Sequence, residues 1–179
     1  LGTKMNIDDL IKKSLEAVED KNSFELRRIS ADTLSEAAID EHRELMLLAL
    51  VDYALSKILS KIHYEDVDHD FYSKIVTHFE NAIAARKEEK IKNLEAIEDL
   101  VIKLDEKEGN FSDNVMTKAR IKKASNLYNQ GFSLRRAAEL TGANASDVLD
   151  YIGNSKIHEF HGSGKNAQRL KKAREVFLE

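Results

Sequence analysis

The sequence of 179 residues contains no cysteine, no proline and no tryptophan, and only seven glycines. Without cysteine the chain can form no disulfide, thiolate zinc site or iron–sulfur cluster, and it has no cysteine nucleophile. A cysteine-free chain is typical of a reducing compartment, so a cytoplasmic location is expected. Average usage would give roughly nine prolines in a chain of this length. Their absence favours long helices.

Long hydrophobic runs are also missing. The longest run, Leu45–Val51, ends at Asp52, far short of the about 18 apolar residues that a membrane-spanning helix needs. No membrane association is therefore expected. The N-terminus lacks the pattern of a secretion signal, and we interpret residues 1–4 as a non-native extension before a native start at Met5.

Glycine and charge divide the chain at the same place. Only one glycine precedes Gly109. Residues 1–109 hold 16 basic and 25 acidic side chains, a balance of −9, whereas residues 110–179 hold 12 basic and 7 acidic side chains, a balance of +5. We therefore predict an all-α protein with an acidic helical bundle at residues 5–108, for dimerisation or sensing, and a basic helical unit at residues 112–179.

The apolar spacing of the acidic part predicts its helices. The expected elements are a first helix over Ile7–Val18, short helices around Ser30–Asp32, a long central helix over Ile39–Ile62 and a further helix from Phe71 towards Lys107. The polar stretch His63–Asp70 predicts a loop. Four apolar residues of the last helix, at alternating spacings of three and four, form a seam that predicts packing or a dimer contact: Leu94, Ile97, Val101 and Leu104.

The basic part contains the most informative pattern of the chain. Residues Val115–Gln130 predict one helix. Ser133 can cap a second helix that ends at Gly142, and Asn144 can cap a third that ends at Gly153. Two short helices joined by a tight turn are typical of a helix-turn-helix.

Three residues are expected to maintain this motif. Ala138 must be small because the next helix crosses there, and Gly142 supplies the positive φ of the tight turn. Val148 holds the last helix against the one before it.

The Leu-Tyr-x-x-Gly-x-Ser pattern at Leu127–Ser133 and the helices after it resemble the helix-turn-helix superfamily. The form that is matched is the tri-helical one of resolvases and many prokaryotic regulators, and the resemblance covers Met116–Gly153. With a helical N-terminal part, the chain is also similar to archaeal-type predicted transcriptional regulators. The resemblance implies a DNA-binding regulator that binds double-stranded DNA as a homodimer.

The resemblance also implies roles for individual residues. Outward positions of the last helix would face base edges: Asn144, Ser146 and Asp150. Three cations would hold phosphates: Arg135, Arg136 and Lys156. Further positive charge is offered by neighbouring helices: Lys118, Arg120, Lys122 and Lys123 before the motif, and Lys165, Arg169, Lys171, Lys172 and Arg174 on an amphipathic helix after it. No residue at an outward position of this last helix of the motif is a cation. Asp147 and Asp150 would bring negative charge towards phosphates.

A second resemblance leaves an alternative open. The segments Ala137–Gly142 and Val148–Ile152 are similar to small prokaryotic antitoxin-like proteins. The motif would then be a degenerate helix-turn-helix in a non-enzymatic interaction module or assembly adaptor. Exposed Leu149 and Tyr151 would suit such a protein partner.

Other constellations give weaker signals. The stretch His63–Asp70 holds two histidines and four carboxylates, and His158 and His161 lie three residues apart, but both patterns are more typical of solvated polar segments, and no metal site is expected. No phosphate-binding loop or nucleophile elbow is present, so we expect no catalytic residue and no cofactor. Four aromatic residues of the acidic part predict core, with an effector pocket as the alternative: Phe71, Phe79, Tyr53 and Tyr64.

Overall fold

The computed structural model describes residues 6–60, 69–107 and 114–162, without the side chains of residues 155–162. Within these ranges the chain forms eight α-helices and no strand, so the all-α prediction is confirmed there. The helices are α1 Ile7–Glu19, α2 Ser23–Ile39, α3 Arg43–Leu59, α4 His69–Ala82, α5 Lys87–Lys107, α6 Val115–Asn129, α7 Leu134–Thr141 and α8 Ala145–Gly162.

Helix α1 has the bounds that its apolar spacing predicts. Its N-terminus is capped by Asn6, whose side-chain oxygen accepts a hydrogen bond from the Asp8 N–H at 3.0 Å. Such a bond satisfies one of the N–H groups that the first turn of a helix leaves without a partner. One stripe of the helix is buried in the core: Leu10, Ile11, Ser14, Ala17 and Val18.

Three predicted boundaries in the acidic part are wrong. The short helices around Ser30–Asp32 are a single helix of 17 residues, α2, which Asn22 caps. The predicted central helix over Ile39–Ile62 is interrupted, because α2 ends at Ile39 and α3 begins at Arg43. The helix predicted from Phe71 to Lys107 is two helices, α4 and α5. The loop predicted over His63–Asp70 lies mostly outside the described residues, and its last two positions belong to α4.

The two missed breaks, between α2 and α3 and between α4 and α5, have one cause: ordinary residues form the turns. Lys21, Glu41 and Ala84 have φ of 51°, 54° and 58°, a left-handed conformation that usually requires glycine. After α1 the Asn22 N–H donates to the Ala17 carbonyl at 2.7 Å, and the corresponding bond closes α2. This is the glycine-type helix ending built without glycine, so the sequence carries no signal for it.

Helix α3 lies at the centre of the bundle. It packs against α1, α2, α5, α6 and α7, and its core face is buried: Leu48, Ala49, Val51, Ala54, Leu55 and Ile58. The predicted seam of α5 faces the same core, with Leu94, Ile97 and Val101 fully buried and Leu104 partly buried. This seam is therefore used in packing within the chain. Phe71 and Phe79 are buried as predicted, and Tyr64 lies outside the described residues.

Helix α6 joins the basic part to the bundle. It packs against α3 and α5, and the buried hydrophobic residues on both sides form one continuous cluster. The Val115 N–H, at the start of α6, donates a hydrogen bond of 2.6 Å to the buried Asp105 carboxylate of α5. The predicted boundary at residues 108–112 lies outside the described residues, and the division into two domains stays a prediction.

A buried polar group lies under this junction. Asp52 of α3 accepts a hydrogen bond of 2.9 Å from the Ser14 hydroxyl, and its second oxygen has no hydrogen-bond partner. Lys123 of α6 is also buried, donates to the Ser30 carbonyl at 3.2 Å, and lies 4.9 Å from the ring centre of Tyr53. Burial raises the pKa of Asp52 well above its usual range and lowers the pKa of Lys123 to about 8. Both groups are therefore shifted towards their neutral forms.

Candidate nucleic-acid interface

The turn between α6 and α7 forms as the sequence predicts. Helix α6 ends in a left-handed residue, Gly131, with φ of 102°. The Phe132 N–H donates back to the Leu127 carbonyl at 3.1 Å. Ser133 then caps α7, since its hydroxyl accepts a hydrogen bond of 3.2 Å from the Arg136 N–H. The start of α7 is therefore fixed by interactions within a few residues of chain.

The turn between α7 and α8 is equally local. Gly142 is left-handed, with φ of 68°, and a Cβ added there would lie 3.2 Å from the Arg120 guanidinium. Asn144 caps α8 through a hydrogen bond of 2.8 Å from the Ser146 N–H. The expected roles of Gly142 and Asn144 in forming the turn thus match the observed geometry. The predicted end of α8 at Gly153 is wrong, because the helix continues to Gly162.

Apolar side chains hold α8 against the rest of the unit. Val148 and Ile152 are buried on its inner face, and Ala137 and Ala138 are buried on α7. Helix α8 packs against both α6 and α7. Helix α8 therefore has one side in the core of the three-helix unit and the opposite side in solvent.

The three residues that were expected to face bases lie on this outer side. Asn144, Ser146 and Asp150 are all exposed, but Asp150 also lines a groove against α6. Leu149 is 56% exposed on the same helix, and Tyr151 is 36% exposed. The outer surface of α8 therefore mixes polar, acidic and apolar side chains.

Arg135 and Arg136 differ in their surroundings. The side chain of Arg135 is 89% exposed and pairs with Glu139 at 2.8 Å. Arg136 pairs with Glu41 in the α2–α3 turn and, at 3.6 Å, with Glu139. These carboxylates raise the pKa values of both guanidinium groups, through Glu139 for Arg135 and chiefly through Glu41 for Arg136. Arg136 thus links α7 to the bundle, whereas Arg135 projects into solvent.

Two cations that the sequence offers to phosphates are used inside the protein, which corrects that expectation. Lys123 is buried at the junction with the bundle. Arg120 pairs with the nearly buried Glu98 of α5, and its Nε has no hydrogen-bond partner. Lys118 is exposed and Lys122 is half-buried on the same helix.

The side chains of the other predicted cations lie outside the part of the chain that the structure describes. Lys156 belongs to α8, but its side chain lies outside the description. The amphipathic helix predicted over Ala167–Leu178, with its four cations, and Lys165 before it also lie outside the described residues. No group of three or more metal-ligating side chains occurs among the side chains that the structure describes, those of residues 6–60, 69–107 and 114–154.

Sequence reasoning missed a second surface beside the motif. Tyr53 and Lys57, four residues apart on α3, line a groove with α6 and α8. Their spacing places them on one face of a helix, which is the only signal that the sequence gives. Nothing in the sequence indicates that α6 and α8 lie opposite that face.

Comparison with known proteins gives no match to a family model, to a curated protein or to a solved structure. In the part of the chain that the structure describes, none of the helices has the length and apolar character needed to span a membrane.

Proposed function

We propose that this protein is a DNA-binding regulator in which α6, α7 and α8 form a helix-turn-helix unit and α8 is the recognition helix. The observation that carries the proposal is the capped turn at Gly142 and Asn144. It leaves the first turn of α8 exposed while Val148 is buried. A helix held in this way can enter the major groove of DNA.

Phosphate contacts are assigned to the side of the unit around the start of α7. Arg135 is exposed there, and a phosphate group can replace its present partner, Glu139. Arg136 is held by Glu41 and contributes once that pair opens. Because phosphate contacts set the position on DNA without reading sequence, this side governs overall affinity.

The acidic residues of α8 oppose this attraction. Asp147 and Asp150 are exposed in its first two turns. In the proposed complex they approach the DNA backbone, so they reduce affinity for any duplex. Asn144 and Ser146 then supply the donors and acceptors that read base edges.

Arg135 provides the principal test. Fluorescence anisotropy of a labelled duplex is measured with the full chain at about 50 and about 200 mM salt. Arg135→Glu is expected to weaken binding about tenfold at the lower salt, whatever the DNA sequence. The matched control is Arg28→Glu, since Arg28 also pairs with a glutamate on its own helix, α2, away from the motif. Equal affinities of the two variants would contradict the phosphate assignment.

The acids of α8 provide a test of opposite sign. Asp150→Asn is expected to tighten binding several-fold at low salt, because it removes a negative charge next to DNA. Asp9→Asn changes an exposed acid of α1 by the same chemistry and should have no effect. If both variants bind DNA as the native chain does, α8 does not approach the duplex.

A homodimer is part of the proposal. On α2, Phe24 is 73% exposed and Ile39 is 71% exposed, one at each end of the helix, and each offers an apolar side chain for contact with a second copy. Sedimentation velocity should show a dimer of the full chain, and Phe24→Ser with Ile39→Ser should shift it to monomer. A native chain that sediments as a monomer at tens of micromolar would refute this part.

The second candidate function is a protein-interaction module, and the exposed pair Leu149 and Tyr151 favours it. Exposed apolar side chains next to the carboxylates of Asp147 and Asp150 in sequence suit a basic partner. This reading predicts no salt-sensitive anisotropy change with any duplex, even at low salt. Salt-sensitive DNA binding that Leu149→Ser leaves intact would count against it.

A further inference from the structure

A groove runs between the bundle helix α3 and the two helices α6 and α8. Its volume is about 610 Å³, within the range of about 300–1,000 Å³ that is typical of small-molecule sites. Its lining includes Tyr53 and Lys57 of α3, Lys122 of α6, and Asp147, Asp150 and Tyr151 of α8. Aromatic, cationic and acidic groups therefore converge on one concave surface.

The groove carries cations next to aromatic rings. The Lys57 Nζ lies 5.2 Å from the ring centre of Tyr53, and the Lys122 Nζ lies 5.5 Å from the ring centre of Tyr151. Burial lowers the pKa of Lys57, and the positive charges of Arg27 and Lys122 lower it further. These cations therefore lie close enough to repel one another, and an anion placed among them would relieve that repulsion.

Two tyrosines, Tyr53 of α3 and Tyr151 of α8, line the groove. Burial raises the pKa of Tyr53, and the nearby Lys122 and Tyr151 also act on its hydroxyl, in opposite directions. Tyr53 is half-buried, so its position is fixed by packing, whereas Tyr151 is exposed at the edge. The two rings can supply aromatic surface for a planar ring once Lys57 and Lys122 turn from them towards an anion.

The wall formed by α8 is acidic. Asp147, Asp150 and Asn154 recur at spacings of three and four residues, which places them on one face of the helix. Ionised carboxylates only accept hydrogen bonds. This wall therefore favours a ligand group that carries N–H donors.

We propose that this groove binds a small aromatic anion of the nucleoside monophosphate class. Lys57 and Lys122 contact the phosphate, Tyr53 and Tyr151 contact the ring, and the aspartates of α8 accept hydrogen bonds from amino or imino groups of the base. The proposal goes beyond DNA binding and does not depend on it, because every contact to the ligand comes from the protein and none from DNA. The ligand would bridge the bundle and α8.

The experiment is calorimetric titration of the full chain with AMP, ribose 5-phosphate and inorganic phosphate, in the absence of DNA. AMP is expected to bind with submillimolar affinity. Ribose 5-phosphate, which lacks the ring, should bind about tenfold more weakly. Failure of DNA binding leaves this titration interpretable, and failure of this titration leaves the DNA proposal standing.

Variants locate the site. Lys57→Gln, Lys122→Gln and Tyr151→Ala should each weaken AMP binding about fivefold or more. Lys103→Gln, on the exposed side of α5, is the matched control and should bind AMP as the native chain does. Circular dichroism confirms that each variant is folded before its affinity is compared.

Three results would overturn the proposal. The first is that AMP, CMP and GMP all fail to bind at concentrations up to about 5 mM. The second is that inorganic phosphate binds as tightly as AMP, which removes the role of the tyrosines. The third is that the folded Lys57 and Lys122 variants bind AMP with native affinity, which places the ligand elsewhere.

Discussion

Lys123 makes the stability of this protein depend on pH in a predictable direction. Its pKa is about 8 in the folded chain, against an ordinary value of 10.5, because burial disfavours the charged ammonium. Between these two values the unfolded chain binds a proton that the folded chain has released. The contribution of Lys123 to the free energy of unfolding must therefore rise with pH across this window.

The size of the rise follows from the two pKa values. A shift of one unit corresponds to about 1.4 kcal/mol. Integrated from about pH 7.5 to 9.5, a single group with these values increases the free energy of unfolding by about 2 kcal/mol. Burial raises the pKa values of Tyr53 and Tyr72 above the ordinary value of 10.0. Above pH 10 their ionisation therefore lowers the free energy of unfolding as the pH rises, and for this reason the chosen window ends at a lower pH. Asp52, with its raised pKa, acts in the opposite direction above its ordinary value of 3.8.

The assay is urea unfolding followed by circular dichroism at several pH values, for the native chain and for Lys123→Met. The difference in unfolding free energy between them should change by about 2 kcal/mol over the window, because methionine has no proton to release. Lys103→Met removes an exposed lysine of α5 and should give a curve parallel to that of the native chain. If the Lys123→Met curve is also parallel, Lys123 is not a buried ammonium and the reasoning fails.

Three further predictions concern local structure and are checked by urea unfolding at neutral pH. Gly142→Ala should destabilise the protein by about 1–2 kcal/mol, because φ is 68° and the added Cβ crowds Arg120. Gly153→Ala, in an open helical position, should instead stabilise it by about 0.5–1 kcal/mol. Equal effects of the two substitutions would contradict the turn geometry. Ser133→Ala should cost about 1 kcal/mol through loss of the α7 cap, and no change would mean that solvent replaces that hydrogen bond. Glu98→Gln should cost about 1–3 kcal/mol because Arg120 then loses its charged partner, and a neutral outcome would show that this pair contributes nothing.

The sequence predicts the turns between α6 and α7 and between α7 and α8 well because local interactions set them. Ser133, Gly142 and Asn144 act within four residues of their own positions. A cap or a left-handed glycine can be recognised from the residue type and its position in the sequence. Gly153 misleads for the same reason: glycine permits a helix to end, but nothing in the structure uses that freedom there.

The turns of the bundle are decided by packing. Lys21, Glu41 and Ala84 are poor left-handed residues, and helix α3 must nevertheless be separated from α2 so that both can bury their apolar faces against each other. The packing of the two helices outweighs the local cost of the turn. Sequence reasoning, which sees only the local cost, predicts a continuous helix across Glu41 and across Ala84.

What the sequence by itself determined is the all-α class, the charge division and the capped turn around Gly142, since composition, periodicity and caps need no knowledge of distant contacts. Only the tertiary structure decided which cations are available. Lys122 and Lys123 are adjacent residues of the same type, yet Lys122 lines the groove and Lys123 is buried beside Asp52. Docking of α6 on α3 makes that distinction, because the environment of a charge depends on which distant residues pack around it.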